Sequence, residues 1–241
     1  MSRISLHEEH GVATVRMADE VGRNELSGPF VAELEAALAE ASAAKVVLLC
    51  GLPTVWCGGA SRGTLEGLME GRLLATELLL PRCLLELPVP VVAALAGHAV
   101  GGGLALAAAA DLCFAARESR YGANFMDLGF TPGMGSTRLL EHMFTPAVAH
   151  ELLYTGELRR GADFTGGFNA VLPRARVEEH ARSVALRIAD KPRASLVLLK
   201  RTLALPRRRA FEAARTLESL MHDLSFHAPG LRARLEGAFH A

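Results

Sequence analysis

A predicted strand turns into a predicted helix at the stretch Ala96-Gly97-His98-Ala99-Val100-Gly101-Gly102-Gly103-Leu104. An apolar run at 89–95 precedes this turn, and an alanine-rich run follows at 104–110. Three successive glycines let the backbone come close to a ligand and direct N–H groups at it. Backbone donors at the start of a helix stabilise an oxygen that becomes negative during a reaction. Alone, the stretch leaves two interpretations open, an anion-stabilising turn or tight packing of a helix on a strand.

The stretch from 89 to 110 also has the length of a membrane span, since its 22 residues carry no formal charge. Pro90, His98 and the three glycines interrupt it, however, so a strand, a turn and a buried helix are predicted instead.

The chain as a whole has 241 residues and a formal net charge of zero. This balance predicts no general attraction to nucleic acid or to an acidic membrane surface.

The composition indicates a protein with an aliphatic core, since 50% of the residues are hydrophobic but only 5% are aromatic. The four cysteines, at positions 50, 57, 83 and 113, have neither metal-binding nor paired spacing. We expect them to be buried thiols in a reducing cytosol. Residues 1–17 lack the apolar segment of a signal peptide, so the sequence predicts a cytoplasmic protein. The cysteine spacing predicts no metal site.

The first half of the chain alternates predicted strands and helices. A hairpin is predicted from strands at 4–6 and 12–17, and Ser27 precedes an amphipathic helix over 30–41. Further apolar strands are predicted at 45–49, 89–95 and 111–116. Strands and helices in this rhythm predict an α/β fold with parallel strand pairs.

The second half is predicted to be helical, with helices over 136–143, 146–154, 177–190, 194–204 and 208–222. The run Pro-Arg-Arg-Arg at 206–209 predicts a connector between the last two helices, with its basic side chains in solvent. These patterns predict an α/β core over 1–190 followed by a C-terminal helical region over 191–241.

Four motifs in this order resemble the crotonase (enoyl-CoA hydratase/isomerase) superfamily along nearly the whole chain. They are Arg23-Asn24-Glu25-Leu26-Ser27, Trp56-Cys57-Gly58-Gly59-Ala60, Gly97-His98-Ala99-Val100-Gly101-Gly102-Gly103 and Gly129-Phe130-Thr131-Pro132-Gly133-Met134-Gly135. The resemblance implies a ββα-spiral core, a trimer or a pair of trimers, and an oxyanion hole of two backbone N–H groups that hold a thioester oxygen. By position, those donors are Ala60 and Gly102, and Gly101 and Gly133 are expected to contact the substrate.

The same resemblance shows which residues are missing for hydration. Hydratases of the family place one glutamate two residues after the three glycines and another seven residues before the proline of the Pro-Gly motif. Here these positions are Ala105 and Phe125. Hydration needs a carboxylate to activate water and an acid to deliver a proton, and neither residue provides one. The resemblance therefore disfavours hydration, and Phe125 is expected to exclude water.

Further segments are similar to a branch of the superfamily that acts in polyketide β-branching. They are the block 123–135, Arg160-Gly161-Ala162-Asp163, the run 191–197 and Met221-His222. The resemblance implies a lyase that decarboxylates 3-methylglutaconyl-acyl carrier protein to a 3-methylcrotonyl thioester. It implies an acyl carrier protein and further copies of the chain, most often as a homotrimer, as partners. It implies no cofactor besides the phosphopantetheine that carries the substrate.

His222 is the predicted side-chain acid, because the branch has a functional histidine at this Met-His position and histidine titrates near neutral pH. The alternative is a histidine that only satisfies carbonyl groups near a helix end. Phe125 and Phe130 are predicted to form apolar walls that favour loss of neutral CO2. Met126 and Met134 are weighed as further walls, with core packing favoured for both. His98 is expected to be structural.

One departure from the branch concerns a lysine that its decarboxylases usually supply after the first oxyanion motif. This chain has no lysine between Lys45 and Lys191. Arg72 is the candidate to bind the substrate carboxylate, since a guanidinium binds carboxylates but does not donate a proton near neutral pH. Protonation would then fall to His222 or water. Alternatively, Arg62 and Arg72 are only solvated residues of a polar loop.

Two other functions stay open from the sequence, an enoyl-thioester isomerase or hydratase and a non-catalytic subunit that binds an acyl carrier. The missing carboxylates argue against the former, and the missing lysine favours the latter. The sequence also does not separate a carrier protein from coenzyme A as the carrier of the substrate. Arg62, Arg72 and the run 207–209 are candidates for a basic entrance that would suit either.

Overall fold

The computed structural model describes residues 2–74 and 78–240. Its strands are β1 Ile4–Glu9, β2 Val12–Met17, β3 Val46–Cys50, β4 Val55–Cys57, β5 Val91–Leu95, β6 His98–Val100, β7 Leu112–Ala116, β8 Arg120–Gly122, β9 Arg159–Arg160 and β10 Ala170–Leu172. Its helices are α1 Gly28–Ala41, α2 Arg62–Met69, α3 Leu80–Glu86, α4 Gly102–Ala108, α5 Phe125–Leu128, α6 Ser136–Met143, α7 Pro146–Thr155, α8 Arg174–Ala189, α9 Arg193–Phe226 and α10 Leu231–His240.

The strands form two sheets. The larger sheet has the order β1-β2-β3-β5-β7-β10, and the smaller one has the order β4-β6-β8-β9. In the larger sheet β1 and β2 form an antiparallel hairpin, and the other neighbours are parallel. In the smaller sheet β4, β6 and β8 are parallel, and β9 is antiparallel to β8. Parallel strands are covered on both faces, which explains why every residue of β3 and β5 is buried.

The predicted α/β architecture is confirmed. The hairpin, the first helix and the buried strands of the first half lie within a few residues of their predicted positions. Ser27 precedes α1 but makes no side-chain capping bond, and a proline in the first turn favours the start of the helix instead. The stretch 89–110 forms β5, β6 and α4, as predicted. Within 2–74 and 78–240, no helix is long and apolar enough to cross a membrane.

The predicted connector at 206–209 is wrong, because α9 continues through Pro206 without a break. Proline inside a helix removes a hydrogen bond and costs about 3 kcal/mol. Two basic side chains on either side of it hold the helix in place. Lys200 Nζ lies 2.6 Å from Asp111 Oδ2, and Arg207 bonds Asp111 Oδ1 together with the carbonyl oxygens of Ala109 and Ala110. Arg207 is therefore half-buried rather than solvated, which corrects the expectation of a solvated basic run.

The cysteines are largely buried, as predicted. Cys50, Cys57 and Cys113 are buried, and burial raises the pKa of each thiol to about 12. Cys83 is partly exposed.

The division into a core over 1–190 and a helical region over 191–241 stays a prediction. Helix α9 packs against both α3 and α6, which belong to the preceding part of the chain.

Candidate active site

A cavity of about 440 Å³ opens beside the glycine turn. Its apolar wall consists of Val55, Leu65, Leu68, Leu78, Val100, Phe125, Leu128, Phe130, Met134 and Leu158. Its polar side chains are Arg23, Glu25, His98, Arg120, Asn124 and His222. Seven of the predicted site residues line this cavity, namely Ala60, Gly101, Gly102, Phe125, Phe130, Gly133 and His222.

Two backbone loops approach each other at this cavity, one around Ala60 after β4 and the other around Gly102 at the start of α4. A Cβ atom on Gly59 would lie 2.7 Å from Val100 O and 3.5 Å from Gly102 N, so only glycine allows this approach. Gly101 has a φ of 55°, in the left-handed region that favours glycine, and its N–H donates to Gly122 O. No hydrogen bond among the described residues uses the N–H of Ala60 or Gly102. Both N–H groups are therefore available to an oxygen atom in the cavity.

Aromatic and sulfur side chains close one side of the cavity. The rings of Phe125 and Phe130 meet edge to face with centroids 6.0 Å apart, and Phe130 packs on Phe226 of α9 at 4.8 Å. A Cβ on Gly102 would lie 2.7 Å from Met134 Sδ, which places that methionine directly against the glycine turn. Met126 is 42% exposed and faces a separate groove, so it forms no wall of this cavity.

His222 lies near the end of α9 and is 4% exposed. Its Nε2 is 2.8 Å from Thr131 O, and because a carbonyl oxygen only accepts, Nε2 carries the proton. Its Nδ1 is buried without a hydrogen-bond partner among the described residues. Burial lowers the pKa of His222, although the backbone carbonyl oxygens oppose this effect. The ring is thus a largely neutral group with one free nitrogen, and it contacts Gly133, where a Cβ would come within 2.5 Å of Cε1.

Two residues that the sequence analysis missed hold the loop from Thr131 to Thr137 next to His222. Glu218 accepts hydrogen bonds from Gly135 N at 2.6 Å and Thr137 N at 2.9 Å. The Ser225 hydroxyl accepts one from Thr131 N at 3.2 Å. The spacing 218, 222, 225 puts all three side chains on one face of α9, and this polar stripe is the signal that could have revealed them.

The structure does not bring Arg72 to the cavity, contrary to the prediction. Its side chain is 64% exposed and forms an ion pair with Glu70. Arg62 is likewise paired with Glu66 at 2.8 Å on the surface of α2. The substrate-binding role of Arg72 is therefore not supported by its position. Residues 75–77 of the same segment lie outside the described part of the chain.

Residues 7–237 match the family model described as enoyl-CoA hydratase/isomerase. The chain belongs to this family. Bacillaene synthase decarboxylase PksI of Bacillus subtilis (strain 168) is 34% identical over 236 residues, which cover 96% of this chain and 95% of PksI.

Solved structures agree with this assignment. The ECH2 decarboxylase domain of CurF from Lyngbya majuscula superposes with a TM-score of 0.92 and 32% identity over 99% of this chain and all (100%) of that domain. A protein from a dehydratase/decarboxylase enzyme couple of polyketide β-branching reaches a TM-score of 0.94 with 32% identity over 100% of both chains. The crotonase fold and the similarity to the β-branching decarboxylases, both expected from the motifs, are thereby confirmed.

Within this crotonase fold, the two positions that carry glutamates in hydratases have different environments. Ala105 is fully buried inside α4 and does not line the cavity. Phe125 begins α5 and presents its ring to the cavity. Neither Glu118 nor Asp127, the acidic residues nearby in sequence, lines the cavity. Within residues 2–74 and 78–240, the residues that line the crotonase cavity include one carboxyl group, that of Glu25, and no carboxylate pair for the activation of water.

The crotonase cavity also has a basic end that the sequence analysis missed. Arg23, His98 and Arg120 line it, next to Glu25. Burial raises the pKa of Glu25, which lies against the Gly58 backbone. Arg23 and Glu25 belong to a motif quoted above for the family resemblance, but that motif gave no sign that their side chains face the site. His98, expected to be structural, accepts a hydrogen bond from Arg120 N at 2.7 Å and also lines the cavity.

Proposed function

We propose that this protein decarboxylates 3-methylglutaconyl-acyl carrier protein to 3-methylcrotonyl-acyl carrier protein in polyketide β-branching. The observation that carries the proposal is the cavity itself, in which two free backbone N–H groups lie beside an apolar wall and a buried histidine. The similarity to PksI and to the CurF decarboxylase domain supports it. The lack of a carboxylate at positions 105 and 125 separates this chemistry from hydration.

The N–H groups of Ala60 and Gly102 serve as the oxyanion hole for the thioester oxygen. In the reaction, the bond between the distal carboxyl carbon and C4 breaks and CO2 leaves. The electron pair of that bond moves through the C=C bond onto the thioester oxygen, which gives a dienolate. Preorganised donors stabilise this developing charge, and the loss of one typically costs about 3–4 kcal/mol. One proton added at C4 then restores the neutral 3-methylcrotonyl thioester.

His222 is the group that pairs with the substrate carboxylate and returns the proton. Its Nε2 is held by the Thr131 carbonyl, so Nδ1, which is buried without a hydrogen-bond partner among the described residues, is the nitrogen left for the substrate carboxylate. A carboxylate brought beside it favours the charged ring and opposes the effect of burial. The imidazolium thus takes the place of the missing lysine. It can also donate a proton, which an arginine cannot do near neutral pH.

The apolar wall contributes through desolvation. Phe125, Phe130 and Met134 are each less than 10% exposed and leave few places for water near the reacting carbons. An anionic carboxylate is poorly solvated in such surroundings, whereas CO2 is neutral. The same wall protects the dienolate from uncontrolled protonation.

An acyl carrier protein is the proposed partner that delivers the substrate, and a homotrimer is the proposed assembly. An exposed apolar stripe on α9 supports self-association, since Leu217, Leu220 and Leu224 are 56%, 60% and 79% exposed. The spacing of three and four residues places them on one helix face. Exposed leucines at this density are typical of a protein contact surface.

The decisive experiment is mass spectrometry of 3-methylglutaconyl-acyl carrier protein with and without the protein. Rapid loss of CO2 from the acyl group, retained in Arg72→Ala and lost in His222→Ala, is the expected result. An acyl group of unchanged mass with a shifted double bond would support an isomerase instead. A bound but unchanged substrate would support a non-catalytic carrier-binding subunit.

A further inference from the structure

Helix α4 carries one of the two proposed oxyanion donors, Gly102, at its first residue. Every residue of α4 is buried, and the helix consists of glycine, alanine and leucine alone. It therefore has no polar side chain that could fix its position along its own axis. The N–H of Gly102 makes no hydrogen bond among the described residues, which keeps it available to a ligand. Polar anchors for this helix are found at its carbonyl end instead.

Arg207 of α9 binds that carbonyl end. Its Nη1 donates to Ala109 O at 3.2 Å and also to Ala110 O, and its Nη2 pairs with Asp111 Oδ1. One guanidinium thus holds three consecutive residues, for which its planar fork is suited and a lysine ammonium is not. The Arg207 side chain is 15% exposed, so little water competes for these bonds.

Asp111 connects this contact to the strand that leads into the glycine turn. Its Oδ2 accepts hydrogen bonds from Val91 N at 2.8 Å and from Lys200 Nζ at 2.6 Å. Its own N–H donates to Val91 O at 2.9 Å. Val91 begins β5, and β5, β6 and α4 follow one another along the chain. The start of β5 and the end of α4 are therefore both tied to Lys200 and Arg207 of α9.

A shift of α4 would change the separation of the two oxyanion donors. The first turn of α4 packs directly on the end of β4, because the Cys57 carbonyl oxygen leaves no room for a Cβ on Gly103. Cys57 lies three residues before Ala60, the other donor. Displacement of reacting groups by about 1 Å can cost about 100-fold in rate. The position of α4 therefore matters for the geometry of the oxyanion hole.

The helix that carries Arg207 also carries His222. The two residues lie 15 positions apart, which corresponds to about 22 Å along an α-helix. Helix α9 is unbroken between them, and Phe211, Ala214 and Glu218 are buried along this stretch. The same helix thus holds the carbonyl end of α4 and the proposed acid in one frame.

We propose that Arg207 is a positioning residue of the oxyanion hole, which acts through α4 on the N–H of Gly102. Arg207 does not line the cavity, so its effect on the reaction passes through the helix. The proposal rests on the proposed function, since it assumes a thioester oxygen held by Ala60 and Gly102. It goes beyond that function because it gives a role in the reaction to a residue far from the substrate.

The first test measures the thioester carbonyl itself. Infrared difference spectra of bound 3-methylcrotonyl pantetheine, with and without carbon-13 at the carbonyl, report how strongly the hole polarises the C=O bond. In the wild-type protein we expect the C=O stretch at a lower frequency than in water. In Arg207→Gln we expect a loss of about half of that downshift, since one of the two donors is misdirected.

Two further variants show which property of Arg207 matters. Arg209→Gln changes an exposed arginine of α9 that does not line the cavity, and this matched control should keep the full downshift. Arg207→Lys keeps the charge but not the fork, so its downshift should lie between those of the wild type and Arg207→Gln.

The second test consists of two double-mutant cycles on kcat. Arg207→Gln alone should lower kcat by about 10-fold, as expected for a misplaced donor. In the Gly102→Ala background the further loss should be less than about 3-fold, because the same donor is already displaced. In the His222→Ala background the loss of about 10-fold should remain, because His222 acts on another part of the substrate.

An unchanged downshift in folded Arg207→Gln, or an equal loss of kcat in the wild-type and Gly102→Ala backgrounds, would overturn the positioning role. Arg207 would then be a structural cap of α4. The absence of any downshift in the wild-type protein would also overturn it. If circular dichroism shows that Arg207→Gln is unfolded, Arg207→Lys replaces it in both tests, and a full downshift in that variant overturns the proposal.

The carbonyl frequency also separates this proposal from the proposed function, because it requires only a bound thioester. A wild-type downshift that Arg207→Gln loses, without CO2 release from 3-methylglutaconyl-acyl carrier protein by the wild type, would retain the positioning role and reject the decarboxylase. CO2 release by the wild type together with an unchanged downshift in Arg207→Gln would do the reverse.

Discussion

Glu218 and His222 lie one helical turn apart on α9 and hold opposite ends of the same loop. His222 Nε2 is 2.8 Å from Thr131 O, whereas Glu218 accepts Gly135 N at 2.6 Å. The glycine that touches the His222 ring, Gly133, lies between these two anchors. The position of the proposed acid relative to the cavity is therefore set by one helix face and one loop together.

We expect Glu218→Gln to lower kcat by roughly 10- to 100-fold with a smaller effect on KM, since misplaced catalytic groups have effects of this size. A glutamine directs an NH2 group at one of the backbone donors and leaves that N–H unsatisfied, which costs about 1–3 kcal/mol of stability. Steady-state kinetics and thermal unfolding check both effects. Glu212→Gln, at an exposed glutamate of the same helix, is the control. Lost stability with unchanged kcat would reduce Glu218 to a structural residue.

His222→Ala should lower kcat by about 10²- to 10⁴-fold, the range for loss of a positioned proton donor. KM should change less, because the apolar wall and the oxyanion loops still hold the substrate. The rate of CO2 release measures the effect. His227→Ala removes an exposed histidine whose Nδ1 bonds the Asp223 carbonyl one helical turn earlier, and it should behave as wild type. Near-normal CO2 release from His222→Ala would exclude His222 as the acid.

The pH dependence of turnover should show the two states of His222. Burial lowers the pKa of the free protein's ring below 6.5, so the imidazolium form is lost as pH rises through that lowered value. We expect kcat/KM to decline with rising pH from below pH 6.5. We expect kcat to decline from a higher pH, because the bound carboxylate favours the charged ring. A kcat/KM that instead increases through this range would indicate that neutral His222 acts as a base.

The same ring should affect stability in acid. Since the folded-state pKa of His222 is lowered, the unfolded chain binds more protons in the window below pH 6.5. The stability contribution of the neutral ring is therefore present above that pH and lost as pH falls through the folded-state value. Thermal unfolding of wild type and His222→Gln between pH 7.5 and 5.5 measures this, and the wild type should lose more of its Tm. An equal fall in Tm for both proteins would contradict a lowered pKa of His222 in the folded state.

Gly102→Ala should reduce kcat/KM by roughly 10²- to 10³-fold, comparable to loss of an oxyanion donor. The new methyl group would lie 2.7 Å from Met134 Sδ and 3.0 Å from Leu26 Cδ1, so the turn must shift. Gly63→Ala on α2 meets no atom within 4 Å and should keep wild-type activity. Activity retained in Gly102→Ala would argue that this N–H does not hold the thioester oxygen.

The amino-acid sequence alone predicts the glycine turn, the order of strands and helices in the first half, and the absence of the hydratase carboxylates at Ala105 and Phe125. These features depend on neighbouring residues or on motif positions, so local patterns reveal them. Ala60, Gly102 and His222 could also be placed by position, because the motifs around them resemble a known family.

The other features depend on contacts between residues that are distant in the sequence, so they are visible only in the folded chain. Lys200 and Arg207 hold Asp111 from 89 and 96 positions away and keep α9 continuous through Pro206, which local helix rules would break. Glu218 reaches Gly135 across 83 positions. Arg72, promising by its place in the chain, pairs with a neighbouring glutamate at the surface, whereas Arg23 and Arg120 line the cavity together with Glu25. Charge pairing and burial are properties of the packed chain, and no local pattern in the sequence reports them.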